Sequence, residues 1–288
     1  MNLLLLGSSG FTGHNMRAYF SAKPEYTIDA PSHSELDVLD EGAVVEALRR
    51  GHYDVVLNCL DSTDGDGYME RRLRMFMNLA HHADLYSKMI YFGTGAEYGR
   101  QQPLVRVRED DIGRCIPADT YGLAMYIMND LTRKSRNIYN LRLFGIFGPY
   151  ERWQTRFISN AICKKLRGYP ITLRCDRKMS YLDVQDLCFM VEWIATHESA
   201  YHDYNAVPAQ PYLLSELAAL VNDSTPGAAV PVYTARSGLQ DEYTADGSRA
   251  ACEMGVQCRS MEQSVRELAQ WYAAHSDIID SEKLLYQG

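Results

Sequence analysis

Two spacings of apolar residues alternate along the first half of the chain. The run Leu3-Leu4-Leu5-Leu6 is apolar at every position, as a strand covered on both faces must be. GSSGFTG follows, with Gly7, Gly10 and Gly13, and then a helical stretch over 14–20. The alternation continues with a short strand at 26–30, the segment SHSELDVLD at 32–40, and a helix over about 41–50. Next come a strand YDVVLNCL at 53–60, a helix over about 67–83, a strand KMIYFGTG at 88–95, a helix over about 120–133 and a strand NLRLFGIFGP at 140–149. Strands joined by helical crossovers pair in parallel, with helices on both faces. Beyond Pro149 the pattern loosens into helices over about 156–167, 184–196, 214–222 and 261–275, a last short strand YNAV at 204–207, and a Pro/Gly-rich stretch at 225–231. The expected fold is α/β. A doubly wound parallel sheet is built from 1–150 with about 181–204, and a smaller C-terminal α/β substrate lobe from 151–180 and 205–288. The polar end, 277–288, reads as disordered.

A strand, a glycine turn and a helix in that order can hold a pyrophosphate. The turn must bring backbone N–H groups close to the ligand, and the helix presents unpaired N–H groups and a positive dipole end. Ligands of such sheets lie at the carboxyl ends of the strands. That directs attention to the residues from Gly7 to Gly13, Asp37, the residues from Asn58 to Leu60, Thr94 and Phe144.

Composition narrows the partners. The net charge of −8 argues against a nucleic-acid backbone. No apolar run reaches a membrane span and no signal peptide precedes the first strand, so a cytoplasmic location is expected. The seven cysteines are odd in number and form no CxxC pair, so neither a disulfide framework nor a metal site is expected.

Eight segments in order, GSSGFTG, ELDVLD, DVVLNC, FGTGAEYG, TYGLAM, LRLFGIFGP, YLDVQD and YNAVPAQPYLLSELA, carry a resemblance. The chain resembles the extended short-chain dehydrogenase/reductases of the NAD-dependent epimerase/dehydratase group, and within it the nucleotide-sugar 4-reductases. The resemblance implies a Rossmann fold and NAD(P)-dependent reduction of a 4-keto group on a nucleotide-activated sugar, serving deoxy-sugar and surface polysaccharide synthesis. The enzyme alternative is a nucleotide-sugar 4-epimerase. It also implies a homodimer through the helices at 67–83 and 120–133. By position, Gly7, Ser9, Gly10, Phe11 and Gly13 would hold the pyrophosphate, Asp37 and Val38 the adenine, and Asn58, Cys59, Leu60 and Phe144 the ribose and nicotinamide. Thr94 would orient the reacting carbonyl and Tyr121 would be the catalytic tyrosine. Glu97, Arg177, Lys178 and Arg249 would meet substrate.

Four departures matter. The family's YxxxK reads Tyr121-Gly122-Leu123-Ala124-Met125, so the position that should lower the tyrosine pKa has neither charge nor donor. Three explanations stand open: an inactivating substitution, a second cation in the lysine's place, or an NAD(P)-binding sensor that no longer catalyses. Ala96 stands where 3,5-epimerising relatives carry a cysteine, so that activity is not expected. Ser32-His33-Ser34 precede ELD without an acidic residue among them; His33 and Ser34 lean the cofactor towards NADP, with NAD the alternative. Met179 stands where relatives carry a diphosphate-binding arginine, with Arg177 and Lys178 just ahead of it.

Overall fold

A computed structural model describes residues 1–61 and 65–285. Six parallel strands form the central sheet, in the order Asp203–Asn205, Ile138–Leu143, Lys88–Thr94, Val55–Asn58, Asn2–Leu6, Thr27–Asp29. The helices in chain order are α1 (Phe11–Ser21), α2 (Glu41–Gly51), α3 (Tyr68–Ala80), α4 (Thr120–Lys134), α5 (Phe157–Leu166), α6 (Val184–Thr196), α7 (Leu214–Ser224), α8 (Ser248–Met254), α9 (Met261–Ala274) and α10 (Ser281–Leu285).

The leucine run is explained by the pleat, which sends successive side chains to opposite faces. Leu3 and Leu5 pack with Met16 and Phe20 of α1 and Met190 and Val191 of α6. Leu4 and Leu6 pack with Val44 and Leu48 of α2, Phe76 and Leu79 of α3, and Met125 of α4. Each buried leucine contributes roughly 1.5–3 kcal/mol, so a single charge in this strand would strand two helices. The flanking helices start where acidic caps satisfy their first N–H groups. Asp40 accepts from Ala43 N–H (3.1 Å) at α2, and Asp119 from Gly122 N–H (2.8 Å) at α4.

A second core lies in the C-terminal half, where Ile158 and Ile162 of α5, Leu217 and Val221 of α7, and Val265, Leu268 and Tyr272 of α9 pack together. Beside it runs a four-stranded mixed sheet in the order Tyr212–Leu213, Lys178–Met179, Tyr243–Ala245, Leu104–Val107. Its last strand comes from the first half of the chain, which ties the C-terminal half to the rim of the central sheet.

Three sequence expectations change. The strand expected over 140–149 is two strands: Ile138–Leu143 stays in the main sheet, whereas Gly145–Phe147 turns away to pair with Tyr181–Asp183. The strand expected at 204–207 is Asp203–Asn205. The end expected to be disordered from 277 carries α10, anchored by buried Ile279 and Leu284; two apolar residues sufficed to dock a polar stretch. Residues 286–288 lie outside the described residues.

Candidate active site

Strand order reverses at Asn2–Leu6, which pairs with Thr27–Asp29 on one side and Val55–Asn58 on the other. The crevice at this switch point is where doubly wound sheets bind ligands. Gly7 has φ +77°, and a Cβ there would lie 2.7 Å from the Cys59 carbonyl oxygen; a Cβ on Gly13 would lie 2.1 Å from the Gly7 oxygen. Only glycine fits at either position. Gly10 is the N-cap of α1, which has no side-chain cap, unlike α2 and α4, and no acidic residue in its first turn. The first N–H groups of α1 are thus left to a ligand. Ser9 is exposed, and Phe11 half-buried, at the same turn.

The adjoining strand end carries Asn58, whose side chain accepts from Leu60 N–H (3.2 Å), and half-buried Cys59, whose thiol burial pushes up. Val38 is buried, and its carbonyl accepts from the Asn78 amide (2.8 Å). Asp37 is exposed, accepts from Leu39 N–H (2.9 Å) and lies 3.8 Å from His33. His33 and Ser34 are exposed. Glu35, just beyond them, accepts from both the N–H and the hydroxyl of Ser32 (2.7 Å each). These residues together fit a dinucleotide: close-approach glycines at the phosphates and a polar turn at the edge for the far ribose.

Two strands across from Leu6, about 10 Å at ordinary strand spacing, Thr94 ends its strand. Thr94 interacts with two phenols, Tyr121 from α4 and Tyr243 from the four-stranded sheet, and lowers the pKa of each. Tyr121 is 36% exposed, with its hydroxyl end turned inward. Burial raises its pKa above 10.0, against the lowering effects of Thr94 and the Arg72 charge. Burial likewise pushes Tyr243 up to about 12. The Phe144 ring lies 5.0 Å from the Tyr243 ring, tilted by 50°, and both press on Gly95, where a Cβ would lie 2.6 Å from the Tyr243 hydroxyl. Met125, one turn beyond Tyr121, is buried in the apolar cluster that also holds Leu60. Arg72 of α3 is buried too, with Nη1 donating to the Leu60 carbonyl and lying 3.3 Å from Asp61.

Beneath Thr94 sits a closed ionic network. Arg142 is wholly buried and directs all five N–H groups to acceptors. Nε donates to Glu97 (2.7 Å), Nη2 to Asp203 (3.0 Å) and Asn129 (2.9 Å), and Nη1 to Tyr98 and Asn205 (3.2 Å each). This network corrects two expectations. Glu97, expected at the substrate, is fully buried: one oxygen accepts from Thr94 N–H (2.9 Å) and the other from Arg142. It positions Thr94 and touches nothing outside. Arg249, expected at a diphosphate, is held by Asp203 (3.2 Å), Asp110 (2.7 Å) and Glu109 (3.6 Å) and lies over the Tyr201 ring. Arg177 is also turned to the protein, with Nε and Nη2 donating to the Asp241 carbonyl, whereas Lys178 is exposed.

Sequence reasoning missed Tyr243, Arg72 and Arg142. Arg142 had left a signal, a charge inside the apolar strand LRLFG. Tyr243 is one of 20 tyrosines and Arg72 one of three arginines in ERRLR, so neither stood out.

The fold and site define a class of protein, the NAD(P)-binding Rossmann enzymes. The sequence matches the NAD dependent epimerase/dehydratase family over residues 3–206, and the chain belongs to that family. No curated protein matches it in sequence. Solved structures share its fold at low identity. A GDP-L-fucose synthetase from Naegleria fowleri bound to NADP is 14% identical, with 96% of this chain and 95% of that chain covered and a TM-score of 0.80. A UDP-glucose 4-epimerase from Thermotoga maritima with UDP-glucose is 16% identical, over 96% and 100%, at 0.79. A GDP-mannoheptose C4 reductase from Campylobacter jejuni with NADP bound is 15% identical, over 94% and 98%, at 0.76.

Proposed function

We propose that the chain reduces a 4-keto group on a nucleotide-activated sugar. The observation that carries this reading is the Tyr121–Thr94–Tyr243 hydroxyl cluster at the carboxyl end of the sheet, with Tyr121 held protonated by burial. The dinucleotide supplies a hydride when bound. Gly7, Gly10 and Gly13 leave its phosphates room against the start of α1. Thr94 orients the substrate carbonyl, and Tyr121 gives its proton to the oxygen as negative charge develops there. A reductase needs its tyrosine protonated at the start, so a raised pKa suits this direction. NADP is the favoured cofactor, through exposed His33 and Ser34; the Glu35 carboxylate, tied back to Ser32, works against a 2′-phosphate. Among the cations expected at the sugar diphosphate, Arg177, Lys178 and Arg249, Lys178 is the exposed one. We also infer a homodimer through α3 and α4, which pack side by side and carry half-exposed Leu73, Met77, Leu123 and Ile127.

The test is NADPH and NADH oxidation with a panel of nucleotide 4-keto-6-deoxy sugars. Turnover should fall by about 10²–10⁴ in Tyr121→Phe. The acid must be protonated, so the rate should hold through pH 9 and be lost as pH rises above 10. Tightly copurifying NAD with no net consumption would move the assignment to a 4-epimerase. Cofactor binding without turnover of any keto sugar would move it to a sensor.

A further inference from the structure

Donating its proton leaves Tyr121 as a phenolate in a site that burial makes hostile to charge. A phenolate there needs a fixed cation. Met125, one turn along α4 on the same helix face, is apolar and buried in the core. The groups around Tyr121 come from four elements. Arg72 and Tyr68 stand one turn apart on the same face of α3, and the Tyr68 ring lies 5.9 Å from that of Tyr121. Asp61 and Glu97 oppose ionisation, Asp61 from an exposed side chain and Glu97 from within the Arg142 network. The Arg100 guanidinium lies 6.0 Å from the Tyr121 ring, but it is half exposed and paired with Asp119 at 2.9 Å. Tyr243 is a neutral phenol across Thr94.

Arg72 differs from Arg100 in every respect that strengthens a charge. Its side chain is 9% exposed, so water screens it little. Its Nη1 is anchored to the Leu60 carbonyl, in the same cluster as Met125. Its Nε is buried and has no hydrogen-bond partner among the described residues. A buried guanidinium with an open donor is costly to keep, and a partner that arrives with the bound ligands or the reaction would offset that cost.

We propose that Arg72 is the cation that stabilises the ionised form of Tyr121, acting from α3 where α4 offers only Met125. The inference rests on the reading of Tyr121 as the proton donor. Arg72 is in this sense a positioning and electrostatic group that acts through Tyr121.

The experiment reads the Tyr121 phenol directly. With 3-fluorotyrosine placed at position 121, its titration is followed by ¹⁹F NMR in the otherwise unchanged chain, in Arg72→Lys, in Arg72→Gln, and in Arg72→Gln with Met125→Lys. Arg72→Gln should raise the titration by about one unit or more, equivalent to about a tenfold loss of phenolate. Arg72→Lys should hold it near the starting value, and Met125→Lys should bring it back in the Arg72→Gln background. With native tyrosine at position 121, turnover should fall about 10- to 100-fold in Arg72→Gln and recover in the double variant, while cofactor binding stays within a few-fold. An unmoved titration in a folded Arg72→Gln chain overturns the proposal whatever the reaction proves to be. A shifted titration in a chain that turns over no keto sugar upholds Arg72 and overturns the reductase assignment instead.

Discussion

Two buried arginines flank the end of the strand that carries Thr94, and they are buried for different reasons. Arg142 is wholly enclosed, and each of its N–H groups meets an acceptor, two of them carboxylates. Arg72 is nearly as buried, yet among the described residues its close carboxylate, Asp61, is 77% exposed, and its Nε has no partner. A cation with every donor engaged has nothing left to offer a ligand; it fixes geometry, here the place of Glu97 and through it the Thr94 N–H. A cation with a donor open carries a cost that folding alone does not explain. The pair separates a charge that builds the site from a charge able to work in it.

The largest effect should come from breaking the closed network. Arg142→Met leaves the Glu97 and Asp203 carboxylates buried without their guanidinium, and should cost about 3–5 kcal/mol in a urea denaturation. Arg72→Gln gives up bonds to the Leu60 carbonyl and a solvated Asp61, and should cost on the order of 1 kcal/mol. Equal losses would erase the distinction between the two arginines.

Glu151 sharpens the comparison from the acid side. It is buried like Glu97, but among the described residues its hydrogen-bond donor is the Ser159 hydroxyl alone (2.5 Å), and burial pushes its carboxyl from 4.5 up to about 8. Between those pH values the folded chain holds a proton that the unfolded chain has lost. The contribution of Glu151 is therefore fully present below about 4.5 and is lost as pH rises through about 8. Glu151→Gln, which keeps the neutral form, should gain a few kcal/mol on the parent chain between pH 5 and pH 8.5. Thermal melts at the two pH values measure it, and an offset independent of pH would mean that Glu151 is ionised in the fold.

The smallest effect belongs to Tyr243. Tyr243→Phe keeps the ring against Phe144 and removes only the hydroxyl at Thr94. Stability should change by less than about 1 kcal/mol, while kcat/KM for the keto sugar should fall several-fold. Unchanged kinetics would reduce Tyr243 to packing.

The strands of the central sheet and the helices between them were legible in the first half because each is a local matter. An unbroken apolar run specifies a covered strand, and Gly7 and Gly13 specify a turn that no side chain fits. The same local signals pointed to Thr94, at the end of a strand, whereas Tyr121 was pointed to by the resemblance of TYGLAM to the family's motif. The four-stranded mixed sheet was not legible. Its strands are two to four residues long and come from positions as far apart as Leu104 and Ala245, so no stretch of sequence holds its pattern.

The roles of the charges also waited for the structure. Glu97 and Arg249 look like ligand-binding residues in sequence and are engaged by the protein. Arg72 looks like a surface charge and is buried. By itself the sequence determined the order of the elements and the glycine turn, because backbone conformation and hydrophobic period act over a few residues; its resemblance to the family added the two catalytic candidates. Only the tertiary structure decided which cations are buried, which acids are paired and that Tyr243 lies beside Gly95, next to Thr94. Burial and charge pairing are properties of neighbours in space, brought together here from α3, α4 and a strand more than a hundred residues on.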